Sequence, residues 1–215
     1  MQEQCFAGRL APSPTGLLHL GNMWAFLLAW LDCRSESGRL ILRMEDLDPQ
    51  RSKAGYAEAI AEDLEWLGLG WDEGVGKGGP RGPYAQSERL GLYEDMLGRL
   101  AACGRTYPCF CTRRELKELS SAPHSDDGSV VYPGTCRGLS SGERARRLAK
   151  GMRPATRLFC SGDPPVHFCD LLCGDRTYTP AEWGGDFPLR RSDGVFAYQL
   201  AVAVDDALMG VTRVV

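Results

Sequence analysis

The stretch that most constrains the fold is GRLAPSPTGLLHLGN, residues 8–22. A short strand candidate, Cys5 to Leu10, runs into a segment with two prolines, which can continue neither a ladder nor a helix interior. The Gly16 to Gly21 region then leads into a helix through about Asp32, closed by Gly38 and carrying the apolar run MWAFLLAWL. That helix is apolar nearly all round and is therefore expected to be buried. RLILRMED, Arg39 to Asp46, reads as a second strand, its continuous apolar run typical of a parallel sheet covered on both faces. After Pro49, Tyr56, Ile60, Leu64 and Leu67 recur at helical spacing until Gly68. Ser87 is the expected cap of a third helix lined by Leu90, Met96, Leu97 and Leu100 and ended by Gly104. Strand, helix, strand, helix is the order of a βαβ unit, hence an α/β fold with a parallel sheet.

From Cys109 to about Gly185 the chain turns rich in Gly, Pro, Ser, Cys and Arg, which predicts an inserted module. GVFAYQLAVAVDDALMGVTRVV, from Gly194, then resumes regular structure, read as an apolar strand of the sheet ending in paired aspartates. Residues 1–105 are thus expected to form the first half of the main domain, 106–185 the insertion, and 186–215 the start of the second half. The longest apolar run falls far short of the about 20 residues that span a bilayer, and no signal peptide opens the chain. A cytoplasmic protein without a membrane segment is expected. With a net charge of −3, any nucleic-acid contact must come from a local patch. The candidate is Gly142 to Arg157, where Arg144, Arg146, Arg147, Lys150, Arg153 and Arg157 face the single acid Glu143. A solvated helix face and an RNA contact both fit it.

Nine scattered cysteines argue against a disulfide framework. Cys5, Cys33 and Cys103 lie in apolar segments and are expected to be buried and inert. Cys109 and Cys111 form C-x-C with Cys136 downstream, three soft donors for zinc. His124 is the conventional fourth ligand, and His167, Cys169 and Cys173 form a competing set. A loop leaving a parallel strand and entering a helix N-terminus points backbone N–H groups at an anion. Ser13 and Thr15 add hydroxyls there, Gly21 lets a ligand approach the backbone, and His19 either binds a phosphate or caps the helix.

As a whole, APSPTGLLHLGN resembles the HIGH signature of class I aminoacyl-tRNA synthetases in the form of the glutamate subgroup, with His19-Leu20-Gly21-Asn22 as the tetrapeptide. LRMEDLDPQR and FAYQLAVAVDDALMGVT look like the next two blocks of that subgroup, in order. The resemblance covers nearly all of the chain and is weakest from Leu139 to Phe187. It implies a Rossmann-like class I catalytic domain with an inserted zinc-containing module. Phe196 to Val202, together with CFC and YPGTC, is similar to a shorter branch of the family that glutamylates queuosine at the wobble position of tRNA(Asp). In that branch C-x-C followed by Y-x3-C holds zinc, which implies Cys109, Cys111, Tyr132 and Cys136 here, with the phenol in place of His124.

The resemblance also assigns the remaining residues. Arg9 offers a bidentate fork to a glutamate carboxylate, Glu45 a charge to the ammonium, and Tyr198 a hydroxyl to the side-chain carboxylate. Leu10, Ala11, Pro12 and Ser13 complete that site. Taken alone, Arg9 and Glu45 would each read as an ordinary strand-end ion pair. Pro12, Ser13, Thr15, His19, Gly21 and Asn22 fall to ATP, bound with Mg²⁺. L-glutamate, ATP, the tRNA(Asp) anticodon loop, a structural Zn²⁺ and a monomeric state complete the expectation. The family continues beyond the residues matched by GVTRVV with a carboxylate-binding Arg and a KMSKS-type loop, so a fragment is expected. The N-terminal part of an ordinary glutamyl-tRNA synthetase and a non-catalytic zinc-containing RNA-binding relative are the alternatives.

Overall fold

The computed structural model describes residues 6–112, 114–116, 132–181 and 184–215. Cys5 and His124 lie outside them. The chain divides into two compact units, Met1–Glu94 with Leu200–Val215, and Asp95–Gln199.

The first unit opens with β1 (Ala7–Leu10), α1 (Leu20–Ser35), β2 (Arg39–Leu42), α2 (Ala54–Trp66) and β3 (Glu73–Gly74). The three strands form a parallel sheet in the order β1-β2-β3, with Arg9 opposite Ile41 and Leu42 opposite Gly74. The predicted βαβ pattern is therefore present. β2 shows how one strand serves two faces, because successive side chains point to opposite sides. Leu40, Leu42 and Met44 join Cys33, Ile60 and Leu64 in one core, while Ile41 packs with Met209 and Tyr84 in another. Leu40, Ile41 and Leu42 are fully buried, each contributing about 1.5–3 kcal/mol relative to exposure.

Four expectations are corrected in this unit. α1 buries only Ala29 and Cys33, and Leu20, Trp24, Leu28 and Leu31 form an exposed apolar stripe. A sheet this narrow contacts one side of a helix, whatever lies on the other. Gly38 does not cap α1 through a left-handed backbone; Ser37 takes the positive φ. Gly38 is needed because a Cβ there would lie 2.2 Å from the Phe6 ring and 3.0 Å from Cys33. Ser87 sits inside a 3₁₀ turn, Gln86–Glu88, and donates from its N–H and hydroxyl to Asp46 at 2.8 and 2.6 Å, so it does not cap α3 (Leu90–Ala102). The closing apolar run is a helix, α5 (Tyr198–Met209), not a strand.

In the second unit, β4 (Thr106–Cys109), β5 (Ala155–Leu158) and β8 (Pro188–Arg190) form an antiparallel sheet. A separate hairpin pairs β6 (Val166–Asp170) with β7 (Gly174–Tyr178). Helix α4 (Ser141–Ala149) starts from a capping box in which the Ser140 hydroxyl accepts from the Glu143 N–H and the Glu143 carboxylate accepts from Ser140. No described helix is long and apolar enough to cross a membrane. Cys103 is exposed, against expectation, because it follows the last turn of α3 on its solvent side.

Candidate functional site

The loop between β1 and α1 is tied down by backbone bonds that continue the sheet. Arg43 N–H donates to Leu10 O at 2.9 Å, Glu45 N–H to Pro12 O at 2.8 Å, and Lys53 N–H to Pro14 O at 3.0 Å. These bonds place Arg9 and Glu45 at the C-terminal ends of adjacent parallel strands, where open α/β sheets present ligand sites. The loop and the start of α1 line a cavity of about 380 Å³, with Ala11, Pro12, Ser13, Thr15, His19 and Asn22 in its wall. The sequence-predicted loop residues are thus brought together, with Leu10 buried beneath them. Tyr198 is the first residue of α5, in the second unit, and is exposed.

His19 caps α1. Its Nδ1 accepts from the Asn22 N–H at 3.4 Å, and Asn22 Oδ1 accepts from the His19 N–H at 3.3 Å. An accepting Nδ1 puts the proton of the neutral ring on Nε2, so the imidazole remains a donor toward an anion. The capping and phosphate-binding readings are therefore compatible. A Cβ at Gly21 would lie 3.2 Å from the imidazole, so the glycine makes room for His19 rather than for backbone approach alone.

Arg9 and Glu45 are each half engaged. Arg9 Nε donates to Asp206 Oδ1 at 3.2 Å and Oδ2 at 3.4 Å, while its terminal nitrogens make no hydrogen bond among the described residues. Glu45 Oε1 accepts from Arg43 Nη2 at 3.0 Å, and Oε2 has no partner among the described residues. Burial pushes the Glu45 carboxyl up, with Arg43 and then Arg9 opposing it. A cationic fork and a carboxylate oxygen, both oriented and both with free capacity, suit a zwitterionic ligand.

Sequence reasoning missed what lies underneath. Arg43 is fully buried, and its Nη1 donates to Asp206 Oδ1 at 2.6 Å. Asp205, also fully buried, accepts from Arg89 Nε at 2.6 Å, Gln86 Nε2 at 2.8 Å and Tyr93 Oη at 2.8 Å. The available signal was an arginine inside an apolar strand matched by paired aspartates inside an apolar helix, since buried charges require partners.

In the second unit, Cys109, Cys111 and Cys136 bring three sulfurs within 4.8 Å of one another, the only such metal-competent group among the described residues. Cys109 ends β4, and Tyr132 is held by a bridge to Gly185. The Tyr132 Oη lies 3.3 Å from Cys109 Sγ and 3.9 Å from Cys111 Sγ, while Cys111 and Cys136 sulfurs are 3.6 Å apart. A tetrahedral zinc, with bonds of about 2.3 Å to sulfur and about 2.0 Å to oxygen, separates its ligands by roughly 3.8 and 3.5 Å. The donor set fits. Burial drives the Cys111 thiol up to about 12, with Cys109 the next cause, and burial also drives the Tyr132 phenol up. Cys109 goes the other way: burial raises it, but hydrogen bonds from Tyr132, the Cys111 amide and Arg157 outweigh that, so a compact positive charge is needed to deprotonate Cys111 and Tyr132 beside it. His167, Cys169 and Cys173 stand on the exposed β6–β7 hairpin and do not converge.

Arg157 departs from the expected basic patch. It is buried, its guanidinium stacks 3.8 Å from the centre of the Tyr132 ring, and its Nη1 donates to Asp186 O at 2.6 Å. Asp186, fully buried and unforeseen, accepts from Tyr107 Oη at 2.7 Å, Arg137 Nε at 2.8 Å, and the amides of Cys160 and Ser161 at 3.0 and 2.9 Å. The other basic residues flank or lie on α4, where Arg147 stacks on Phe110.

Residues 6–215 match the family model described as tRNA synthetases class I (E and Q), catalytic domain. The chain is 57% identical over 208 residues to the glutamyl-Q tRNA(Asp) synthetase of Nitratidesulfovibrio vulgaris, covering 97% of this chain and 64% of that protein. A protein of the same name from Symbiobacterium thermophilum is 54% identical, again over 64% of its length. Glutamate–tRNA ligase 2 of Alkalilimnicola ehrlichii is 46% identical, over 96% of this chain and 43% of the ligase. The crystal structure of the glutamate-tRNA synthetase from Elizabethkingia anophelis superposes with a TM-score of 0.81 at 32% identity, covering 98% of this chain and 44% of that one. The chain thus spans less than two thirds of the length of these relatives, and it belongs to the class I tRNA synthetase (E and Q) catalytic-domain family.

Proposed function

We propose that the chain carries the glutamate-activating centre of an enzyme that uses ATP to form glutamyl-adenylate and then esterifies queuosine in the anticodon loop of tRNA(Asp). The observation that carries the first half is the pair Arg9 and Glu45, each tied by one edge and open on the other at the ends of adjacent parallel strands. The α-ammonium takes the open oxygen of Glu45, and the terminal nitrogens of Arg9 take a carboxylate. The α-carboxylate then attacks the α-phosphorus of ATP and pyrophosphate leaves. No protein nucleophile is required, so catalysis reduces to orientation and to compensation of phosphate charge. The α1 N-terminus, the Nε2 proton of His19, and the hydroxyls of Ser13 and Thr15 provide the protein's share. Mg²⁺, bound with ATP, adds the remaining charge compensation on the phosphates.

The comparisons support a queuosine acceptor. Identity is higher to the two glutamyl-Q tRNA(Asp) synthetases than to the glutamate–tRNA ligase over nearly the same residues. A hydroxyl of the queuosine cyclopentene diol would take the glutamyl group as AMP departs. The basic residues around α4, Arg144 and Arg147 among them, would contact RNA phosphates. Cys109, Cys111, Cys136 and Tyr132 would hold a structural Zn²⁺ that fixes the second unit; its closed set of four donors leaves no position for substrate.

Charging the full-length gene product with radiolabelled glutamate, on tRNA(Asp) containing queuosine and on tRNA(Glu), tests the reading. Periodate-sensitive labelling of tRNA(Asp) alone is expected. Efficient charging of the tRNA(Glu) 3′ end would assign the chain to an ordinary glutamyl-tRNA synthetase. Failure of glutamate-dependent ATP–pyrophosphate exchange would leave only the RNA-binding alternative.

A further inference from the structure

We propose that Arg43 is a positioning residue that sets the separation of the cationic and anionic halves of the amino-acid site, holding Glu45 directly and Arg9 through Asp206. This rests on the assignment of Arg9 and Glu45 to glutamate given above.

Four side chains form one chain of ion pairs. Arg9 Nε bonds Asp206, Asp206 Oδ1 bonds Arg43 Nη1 at 2.6 Å, and Arg43 Nη2 bonds Glu45 Oε1 at 3.0 Å. The sequence separation between Arg43 and Asp206 is 163 residues, so the link joins β1, the end of β2 and α5. A guanidinium is planar and presents its donors in a rigid fork, so the two carboxylates it bridges are fixed relative to each other. A lysine in the same place offers a point charge without that fork. Full burial matters as well, because water cannot substitute for either contact.

The network is also built to leave capacity at its two ends. Two arginines face Glu45 and Asp206, while neighbouring Asp205, which lies 3.8 Å from Arg43 Nε without a hydrogen bond to it, is hydrogen-bonded by Arg89. A pair whose only task was to staple strands to α5 would have no reason to engage Arg9 by Nε alone and Glu45 by one oxygen alone. Both ends instead keep the atoms that a zwitterion needs. The groups facing Glu45 are Arg43 on its own segment, Arg9 on β1 and Asp206 on α5. Burial works against the charged form of Glu45, and Arg43 is the first group opposing it.

The test is ATP–pyrophosphate exchange by the full-length gene product, with KM measured separately for glutamate and ATP across a pH series in wild type, Arg43→Lys and Asp206→Asn. Arg43→Lys should raise KM for glutamate at least about tenfold and change KM for ATP less than about twofold. It should also shift the acidic limb of kcat/KM for glutamate to higher pH, because Glu45 loses its nearest cationic hydrogen bond. Equal rises in both KM values, or an unmoved acidic limb, would overturn the proposal and leave Arg43 a structural residue. If Arg43→Lys does not yield folded protein, Asp206→Asn decides by the same comparison: a glutamate-selective rise supports the role and a uniform loss overturns it. Wild-type protein with no glutamate-dependent exchange would instead remove the underlying reading of the site.

Discussion

Replacing Tyr132 by Phe isolates a single oxygen atom in the cysteine cluster. The ring, its bridge to Gly185 and its stack against Arg157 at 3.8 Å should all survive, since none of them uses the hydroxyl. What is lost is the acceptor of the Cys136 N–H, now at 3.0 Å, and the oxygen lying 3.3 and 3.9 Å from two sulfurs. Cys136 is fully buried, so its amide finds no water. An orphaned buried donor costs about 1–3 kcal/mol, which is roughly a 5- to 150-fold change in an equilibrium constant. Folding of a small metal module is coupled to metal binding, so this cost should emerge as weaker zinc retention, and loss of a direct ligand adds to it. Competition with a chromogenic chelator, alongside zinc stoichiometry, measures the effect on purified protein. Wild-type zinc affinity in Tyr132→Phe would refute the reasoning, and loss of zinc in His124→Ala would then move the fourth ligand there.

Three further outcomes follow from the geometry. Arg9→Ala and Glu45→Ala should each lower glutamate activation by about 2–5 kcal/mol in the transition state, because either leaves a substrate charge unpaired; near-normal pyrophosphate exchange in both would make them structural. Asp186→Asn should cost about 1–3 kcal/mol in urea unfolding, because the fully buried carboxylate accepts from Tyr107, Arg137 and two amides and a carboxamide cannot accept from all of them. The carboxyl of Asp186 is held below its usual range: burial pushes it up, but hydrogen bonds from Tyr107 and the Cys160 and Ser161 amides outweigh that. Its contribution is therefore complete above the unfolded value of about 3.9 and fades as pH falls through the folded one, so the variant should flatten only the acidic end of the stability profile. Trp24→Ser, at a site 61% exposed, should change the unfolding free energy of the 215-residue chain by less than about 0.5 kcal/mol; a loss above about 2 kcal/mol would show that the outer face of α1 is covered.

What was legible in the residues alone was local. The βαβ order, the helix start at His19-Leu20-Gly21-Asn22 and the C-x-C knuckle depend on turn chemistry and periodicity within a few residues, and each stands where its pattern placed it. The apolar run from Leu200 could not be told from a strand, since a short continuous hydrophobic segment satisfies a buried strand and a buried helix equally. The apolar composition of α1 likewise predicted burial on every side, and only the packing showed that the sheet meets one side of it. Charge pairing was the least legible of all. Arg43 with Asp206, and Arg157 with Tyr132 and Asp186, join residues far apart in sequence, and no local pattern distinguishes an arginine bound for the interior from one bound for solvent. Burial removes water as a partner, so which distant group answers each buried charge is decided only once the chain has closed on itself.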